Sequence, residues 1–424
     1  MLPSESKFRA YRLHAVALLV GIVSLGVVAY REFDAATGYL MDLSVFRDAG
    51  HAFLSGLPLY SADFPSSSGF RFIYAPFAAI LFAPMAEIDP AVLQALWCAL
   101  NLGLVWWMLK VALSKLDVAR PELLALLSMG PVLLLEPMRS NFDFGQINII
   151  LMALVVADCA GVIPQRFRGI AIGLAAAVKI TPAAFLLVLL VRRDFRSIGR
   201  ALATILVTVA LGFWLLPQSS VWFWTTEFFA TGRAGAPDFF RNQAVTGVIA
   251  RLGAEGLLAS ILWVLSAAVI VSAAAWSAHR FTRSGEHLIA LSIVALASLL
   301  AAPFAVTHHW AYSILLVPIL IAPQYRSWRP LVGAATVIFL IGPNFVLQSS
   351  SSGWVEAAVR EVIGSSQCLV ALVLLGAAVV AARSRTPLPD SVPSDAVPSD
   401  VVVSDAVPSD AVPSDADALE SARG

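Results

Sequence analysis

Long apolar runs separated by short polar or basic breaks fill residues 12–383. Several approach the ~20 residues that a helix needs to cross a hydrocarbon layer ~30 Å thick. The runs 12–30, 91–110, 121–138, 146–163, 198–217, 257–278, 287–306, 310–323, 328–346 and 366–383 are read as spans. Run 73–88 is short and carries Pro76 and Pro84, which predicts a broken or re-entrant element. Run 169–191 has basic residues at both ends, Arg166 and Arg168 before it and Arg192 and Arg193 after it. Lys179-Ile180-Thr181-Pro182 lies in its middle. Two half-helices that rise toward the outer face and return satisfy both ends, with the KITP turn near the outer side. Irregular backbone at that depth is tolerated only where it lines a polar cavity. The expected fold is an all-α polytopic membrane bundle of about 10–12 spans.

Lys7, Arg9 and Arg12 precede the first span, which predicts a cytoplasmic N-terminus. A cleaved signal peptide is the competing reading, but no small-x-small site follows and many spans do. The loop 31–72 is then external. Within it Leu43, Phe46, Gly50, Phe53, Leu54 and Leu57 recur at helical spacing and predict an amphipathic helix lying on the membrane surface. A second outer loop, 218–256, is rich in Trp and Phe. The clusters Arg192-Arg193-Arg196-Arg200, His279-Arg280-Arg283 and Arg326-Arg329 mark cytoplasmic loops, and Arg383 and Arg385 put the C-terminus inside. Residues 391–415 repeat SVPSD-like pentads. This Pro, Ser and Asp low complexity cannot bury enough surface to fold. The expected division is a membrane domain over 1–385 and a disordered acidic cytoplasmic tail over 386–424.

Composition agrees with the membrane reading. Apolar residues make up 59% of the 424 residues and charged residues 13%, with a mean hydropathy of +0.81. A soluble domain holds about 45–50% apolar and about 25% charged residues. The formal net charge of zero hides an asymmetry: residues 386–424 carry eight acids and one base, so the tail is −7 and the rest +7. That body is too weakly basic for nucleic acid. Cys98, Cys159 and Cys368 lie in or beside apolar runs without disulfide or metal-ligand spacing, and are read as packing residues.

Ionisable residues at membrane depth are candidates for function. An unpaired Lys179 ammonium in hydrocarbon would cost about 2.5–3.5 kcal/mol on insertion scales, so it needs an anion, either a protein carboxylate or a ligand phosphate. Asp42 opens the first-loop helix at the water–membrane boundary; it suits a general base for a hydroxyl or, equally, a helix N-cap. Asp48 and His51 share that segment. Arg139, Asn141, Gln146 and Asn148 crowd a polar stretch between two apolar runs, which fits a ligand site or a solvated turn. His308 and His309 open a span at the outer face. Adjacent helical positions point apart, so a metal pair is disfavoured; contact with an anion or sugar and an interfacial belt with Trp310 and Tyr312 are both open. Asn242, Gln243 and Arg251 form a further set in the second loop, as candidates for acceptor contact. On this topology all these clusters meet on the outer side. No Walker, Rossmann or HExxH pattern occurs, so a nucleotide-driven reaction, a cofactor and a metal are not expected. A lipid-carried substrate is favoured.

The segments MDLSVFRDAGHAFLSGLPLY (41–60), FIYAPFAAILFAPMA (72–86), GQINIILMALVVAD (145–158), GIAIGLAAAVKITPAAFLLVLLVRRDFR (169–196), RNQAVTGVIAR (241–251) and PFAVTHHWAYSILLVP (303–318) resemble glycosyltransferase family 87. These are actinobacterial polyprenol-phosphate-mannose-dependent α-1,2-mannosyltransferases of the GT-C fold. The resemblance covers most of 8–383, in order, and leaves out the tail. It implies inverting transfer of mannose outside the cytoplasmic membrane, from polyprenyl-phosphate-mannose to a hydroxyl of a glycolipid or lipoglycan. It also implies that Asp42 is the base, and that Lys179, Arg139 and His308 or His309 hold the donor's phosphate or sugar. Two departures stand out: Ala302-Pro303-Phe304-Ala305-Val306 replaces the family's Ser-Pro-x-Ser-Trp, and Arg47 and Asp48 make the first-loop helix more charged. Competing readings are the same chemistry with another polyprenyl-phosphate sugar such as arabinofuranose, a lipid-sugar flippase, and a membrane scaffold. A flippase would more naturally show two related halves, and a scaffold leaves Lys179 unexplained.

Overall fold

The computed structural model describes residues 5–230, 235–349 and 353–387. The repeat tail, 388–424, lies outside the described residues. All regular structure in the described chain is helical, without a β-strand and with one isolated bridge between Asn242 and Val306.

The first half comprises α1 (Glu5–Thr37), α2 (Met41–Leu54), α3 (Pro76–Ala86), α4 (Pro90–Lys115), α5 (Pro121–Leu133), α6 (Glu136–Phe144), α7 (Asn148–Cys159), α8 (Ile170–Val178) and α9 (Leu186–Val191). The second comprises α10 (Phe195–Leu215), α11 (Pro217–Thr225), α12 (Val245–Arg251), α13 (Gly256–Arg283), α14 (His287–Leu300), α15 (Leu316–Ile321), α16 (Arg329–Ile341), α17 (Trp354–Gly364) and α18 (Ser366–Arg383). Among the described residues α4, α10, α13 and α18 are long and apolar enough to cross a bilayer, and the bent pair α5–α6 makes five if it counts as one span. The other apolar runs are present but break into shorter helices and 3-10 turns. The chain therefore has fewer clean spans than its runs suggest.

The long helices follow from ordinary signals. Asp89 caps α4, its Oδ1 accepting from the backbone N–H groups of Ala91 (3.0 Å) and Val92 (3.2 Å), and Pro90 occupies a first-turn position that needs no donor. The 26 residues of α4 then extend ~39 Å. In α13, Leu257, Leu258, Val264, Leu265 and Val269 are all exposed. In water that face would be an aggregation site; in lipid it is matched to its solvent.

The broken elements have a common cause. A helix that reaches a proline loses the hydrogen bond to the carbonyl four residues earlier. Pro137 stands four residues after Leu133, the last residue of α5, and α5 and α6 meet at a bend of 80°. Pro182 stands four residues after Val178, the last residue of α8, and the chain turns extended at Lys179 (φ −138°, ψ 128°). The 3-10 turn Thr181–Phe185 and α9 continue the run. The interruption expected at KITP is therefore present. The polar stretch 139–148, read as a ligand site or a solvated turn between spans, is largely the helix α6, because the apolar run before it ends at the Pro137 bend.

Small residues set the close approaches. Gly169 and Gly173 lie against α10, where an added Cβ would come within 2.0 Å of the Ser197 carbonyl oxygen and 2.6 Å of that of Ala201. Asp158 is fully buried and accepts from the N–H groups of Gly169 (2.8 Å) and Ile172 (2.9 Å), which satisfies the start of α8. Gly50 brings α2 onto the α3 backbone, 2.4 Å being left between an added Cβ and the Phe82 oxygen. The expected amphipathic helix is α2, and its Leu43, Val45, Phe46 and Ala49 join the core.

Candidate active site

The polar residues gather where α2, the α6–α7 junction, the α8 break and the 3-10 helix Thr307–Leu315 meet. Gly145 makes this junction. It ends α6 at φ +70°, and an added Cβ would stand 2.9 Å from Leu40 Cβ and 2.8 Å from Leu43 Cβ. Both the left-handed backbone and the contact with the start of α2 call for glycine. The chain leaving Gly145 carries Gln146 against Asp42.

From there a directed chain of hydrogen bonds runs through four side chains. Lys179 Nζ donates to Asn148 Oδ1 (3.0 Å). Asn148 Nδ2 donates to Gln146 Oε1 (3.3 Å), and Gln146 Nε2 donates to Asp42 Oδ2 (2.6 Å). Each amide presents its oxygen toward the ammonium and its nitrogen toward the carboxylate. Such alignment polarises each bond in the sense of the next. Asn141 holds the chain from behind: its Nδ2 donates to the carbonyls of Pro137 and His308, both at 2.7 Å, and its Oδ1 accepts from Asn148 (3.1 Å). Gln146 and Asn141 are buried, whereas Asp42, Asn148 and Lys179 are half-buried. The supports are inside and the reactive groups face partly outward.

The two histidines diverge, as adjacent positions must. Lys179 Nζ and His309 Nε2 stand 2.9 Å apart; with the amine protonated, the imidazole accepts and carries its own proton on Nδ1. The His308 ring is turned 80° from it and stands edge-on to Phe144, the centroids 6.3 Å apart. Tyr74 closes the other side, its ring centroid 5.7 Å from Lys179 Nζ. A cavity of about 40 Å³ adjoins Asn148 and His309, walled by Thr181, Phe304 and Tyr312. A larger, apolar cavity of about 240 Å³ has Ala177 and Ile180 in its wall, on either side of Lys179 along the chain, with Ala75, Pro76 and Gly212 opposite.

Asp42 lies in the first-loop helix, outside the spans. Its burial pushes the carboxyl above the usual carboxylate range; the hydrogen bond from Gln146 and the charge of Lys179 pull the other way without cancelling the burial.

The remaining candidates have other partners. Asp48 is buried and accepts from both the backbone N–H and the hydroxyl of Ser67 at 2.7 Å, which pins the first loop to α2. Arg139 donates to the Leu340 carbonyl at 3.3 Å, at the end of α16. Asn242 and Gln243 are fully buried: Asn242 Oδ1 accepts from the Ala244 (3.2 Å) and Ala305 (3.1 Å) N–H groups, and Gln243 Nε2 donates to the Gly364 carbonyl (2.9 Å). Arg251 pairs with Glu361 at 3.0 Å and donates to Ser365 Oγ at 2.8 Å. This set ties the second loop to α17 and to residues 305–306. Sequence reading passed over two residues. Tyr74 was a phenol in an apolar run just before Pro76, and Arg241 opened the RNQ segment whose next two residues were singled out.

A bundle of long apolar helices with a carboxylate and an ammonium joined through two side-chain amides defines a polytopic membrane protein with a polar site set among its helices. Residues 72–303 match the model of glycosyltransferase family 87. The chain is 34% identical over 420 residues to a polyprenol-phosphate-mannose-dependent alpha-(1-2)-phosphatidylinositol mannoside mannosyltransferase of Mycolicibacterium smegmatis, covering 92% of this chain and 93% of the relative. It is 35% identical over 345 residues to the Mycobacterium tuberculosis protein of the same description, covering 77% and 79%. A pentamannoside mannosyltransferase of M. tuberculosis is 29% identical over 315 residues, covering 72% and 71%. No solved structure matches. The chain belongs to glycosyltransferase family 87, and is a glycosyltransferase of the membrane. Gln146, Asn148, Lys179 and Arg241 fall inside the matched segment; Asp42, His308 and His309 flank it.

Proposed function

We propose that the protein transfers mannose from a polyprenyl-phosphate-mannose donor to a hydroxyl of a phosphatidylinositol-mannoside-type glycolipid. The descriptions of the relatives support the donor and acceptor classes. The observation that carries the mechanism is the hydrogen-bond chain from Lys179 to Asp42, which sets a base and a cation in one partly open site.

Asp42 removes the proton from the acceptor hydroxyl as its oxygen attacks the anomeric carbon. The bond from that carbon to the phosphate oxygen breaks on the opposite face, so a β-linked donor gives an α-linked product. Polyprenyl phosphate departs as an anion that needs no proton, and one carboxylate suffices. Lys179 neutralises that phosphate, with His309 and Asn148 holding its ammonium. The apolar cavity beside Ala177 and Ile180 offers room for the first part of the isoprenoid chain. The site faces the outside of the cytoplasmic membrane, with both termini within, and the catalytic unit is 1–385.

The test is transfer of labelled mannose from synthetic polyprenyl-phosphate-mannose to phosphatidylinositol mannosides by the purified full chain and its Asp42→Asn variant. Transfer by the wild type and a loss of about 10²–10⁴-fold in a folded variant are expected. Equal rates would remove Asp42 from the role of base. Transfer of a different polyprenyl-phosphate sugar, with none of mannose, would overturn the donor.

A further inference from the structure

Arg241 is a cation with no ion-paired carboxylate among the described residues. Its guanidinium lies 5.9 Å from the Phe144 ring centroid and 5.5 Å from that of Phe240, and is half-buried. Among the described residues no carboxylate forms an ion pair with it. Glu136 lies within electrostatic reach but makes no such contact. The neighbouring polar residues bond to the protein: Asn242 through both side-chain atoms, Gln243 through its Nε2, its Oε1 having no partner among the described residues, and Arg251 through its guanidinium. Asn242 and Gln243 fasten the backbone on one side, through the bridge to Val306 and the Gln243 N–H to Ala305 carbonyl bond of 2.9 Å. Arg251 adds a bond to the Asn242 carbonyl at 3.0 Å. Three residues thus fix one arginine whose own head group has no ion-pair partner among the described residues.

The fastening determines where Arg241 sits. Residues 305–306 lead directly into His308, and His308 rests on the same Phe144 ring that Arg241 covers. His308 is within electrostatic reach of both Lys179 and Arg241. Its ring nitrogens have no hydrogen-bond partner among the described residues, while His309 is taken by Lys179. The site therefore has two cations, one joined through the amides to Asp42 and one beyond the histidine pair.

Two cations suit two anions. A polyprenyl-phosphate sugar brings one phosphate, which must lie next to the anomeric carbon and so near the base. A phosphatidylinositol-based acceptor brings another, a phosphodiester separated from the attacking hydroxyl by sugar rings. A guanidinium fork grips a phosphodiester through two oxygens, and it is less strongly hydrated than an ammonium, which favours a partly desolvated seat between rings. Resting on the transfer reading above, we propose that Arg241, with His308 and the Phe144 face, is the subsite for the acceptor's phosphodiester.

The test is direct binding to the full chain in phosphatidylcholine nanodiscs. The probes are phosphatidylinositol dimannoside and an analogue in which an uncharged ether replaces the phosphodiester. The wild type is expected to prefer the charged lipid by about 10–100-fold, the range for a hydrogen-bonded charge pair. Arg241→Gln should abolish that preference and Arg241→Lys should keep part of it, all with unchanged melting temperature. In transfer assays the KM for the charged acceptor should rise in Arg241→Gln. A preference that survives in Arg241→Gln would overturn the proposal. So would a rise in the KM for the donor in place of the acceptor, which would put the donor phosphate on Arg241, or displacement of the lipid by inorganic phosphate at equal concentration. Because binding is read without turnover, the two readings separate. A phosphate preference without mannose transfer would sink the transfer reading alone, and mannose transfer without a phosphate preference would sink this subsite alone.

Discussion

Asp42 must be ionised to accept a proton, yet its surroundings favour the neutral acid. Burial raises its pKa above 3.8, and the Gln146 donor and the Lys179 charge offset only part of that rise. The sign follows for activity. A base works only when deprotonated, so kcat/KM should increase with pH through a titration lying above the ordinary carboxylate range and level off beyond it. A rate profile flat down to pH 4 would contradict this. The sign for stability is the reverse. A raised carboxyl pKa means that the folded chain holds the proton more tightly than the unfolded chain, so ionisation destabilises the fold as pH rises through the folded value. Asp42→Asn should therefore melt no lower than the wild type at neutral pH, any advantage shrinking as pH falls, while losing transfer. An inactive variant that also melts well below the wild type at pH 7 would mark Asp42 as structural.

At the scale of elements, the site depends on helices that stop in the right places. Gly145 is the clearest case, since it ends α6 in a left-handed turn and lets Leu40 and Leu43 of the first loop approach. Gly145→Ala places a Cβ in a conformation that costs about 1–2 kcal/mol and adds a clash with α2. The expected result is a lower melting temperature together with a fall in turnover beyond that of a core substitution of similar cost, because Gln146 shifts against Asp42. Turnover unchanged in a variant that has lost stability would mean that the α2–α6 contact does not set the base. These stops were only partly readable beforehand. Lys179 in an apolar run, followed by Pro182, announced the break at KITP because a cation and a missing donor coincide there. The bend at Pro137 was less visible, since Leu133, Leu134 and Leu135 keep the run apolar across it, and hydropathy carries no record of direction. Asn242 and Arg251 looked like ligand contacts because buried amides that bond backbone have the same residue types as amides that bond sugars. Only the partners distinguish them.

At the scale of the whole molecule, charge and hydropathy divide the chain in the same place. The described residues end at 387, and the segment beyond is the acidic repeat, which contains no aromatic residue. Everything needed for the site lies between Asp42 and His309, and the ties that hold it reach as far as Glu361 and Ser365. Apart from Val401-Val402-Val403, the tail's apolar residues are single or paired Ala, Val and Leu among Pro, Ser and Asp, a composition poor in groups that build a core. Removal of residues 388–424 takes eight acids and one base from a neutral chain and leaves the remainder at +7. On the proposed topology that excess sits in cytoplasmic basic clusters, which face the anionic inner leaflet, so it should not impede insertion. The truncated protein is accordingly expected to melt at the wild-type temperature and to transfer mannose at a rate within about two-fold of the full chain, since the partners of the site among the described residues all lie before residue 388. A large loss of transfer with stability intact would mean that the tail reaches the reaction. A loss of both would mean that it completes the fold, and the division of the chain at residue 385 would then be wrong.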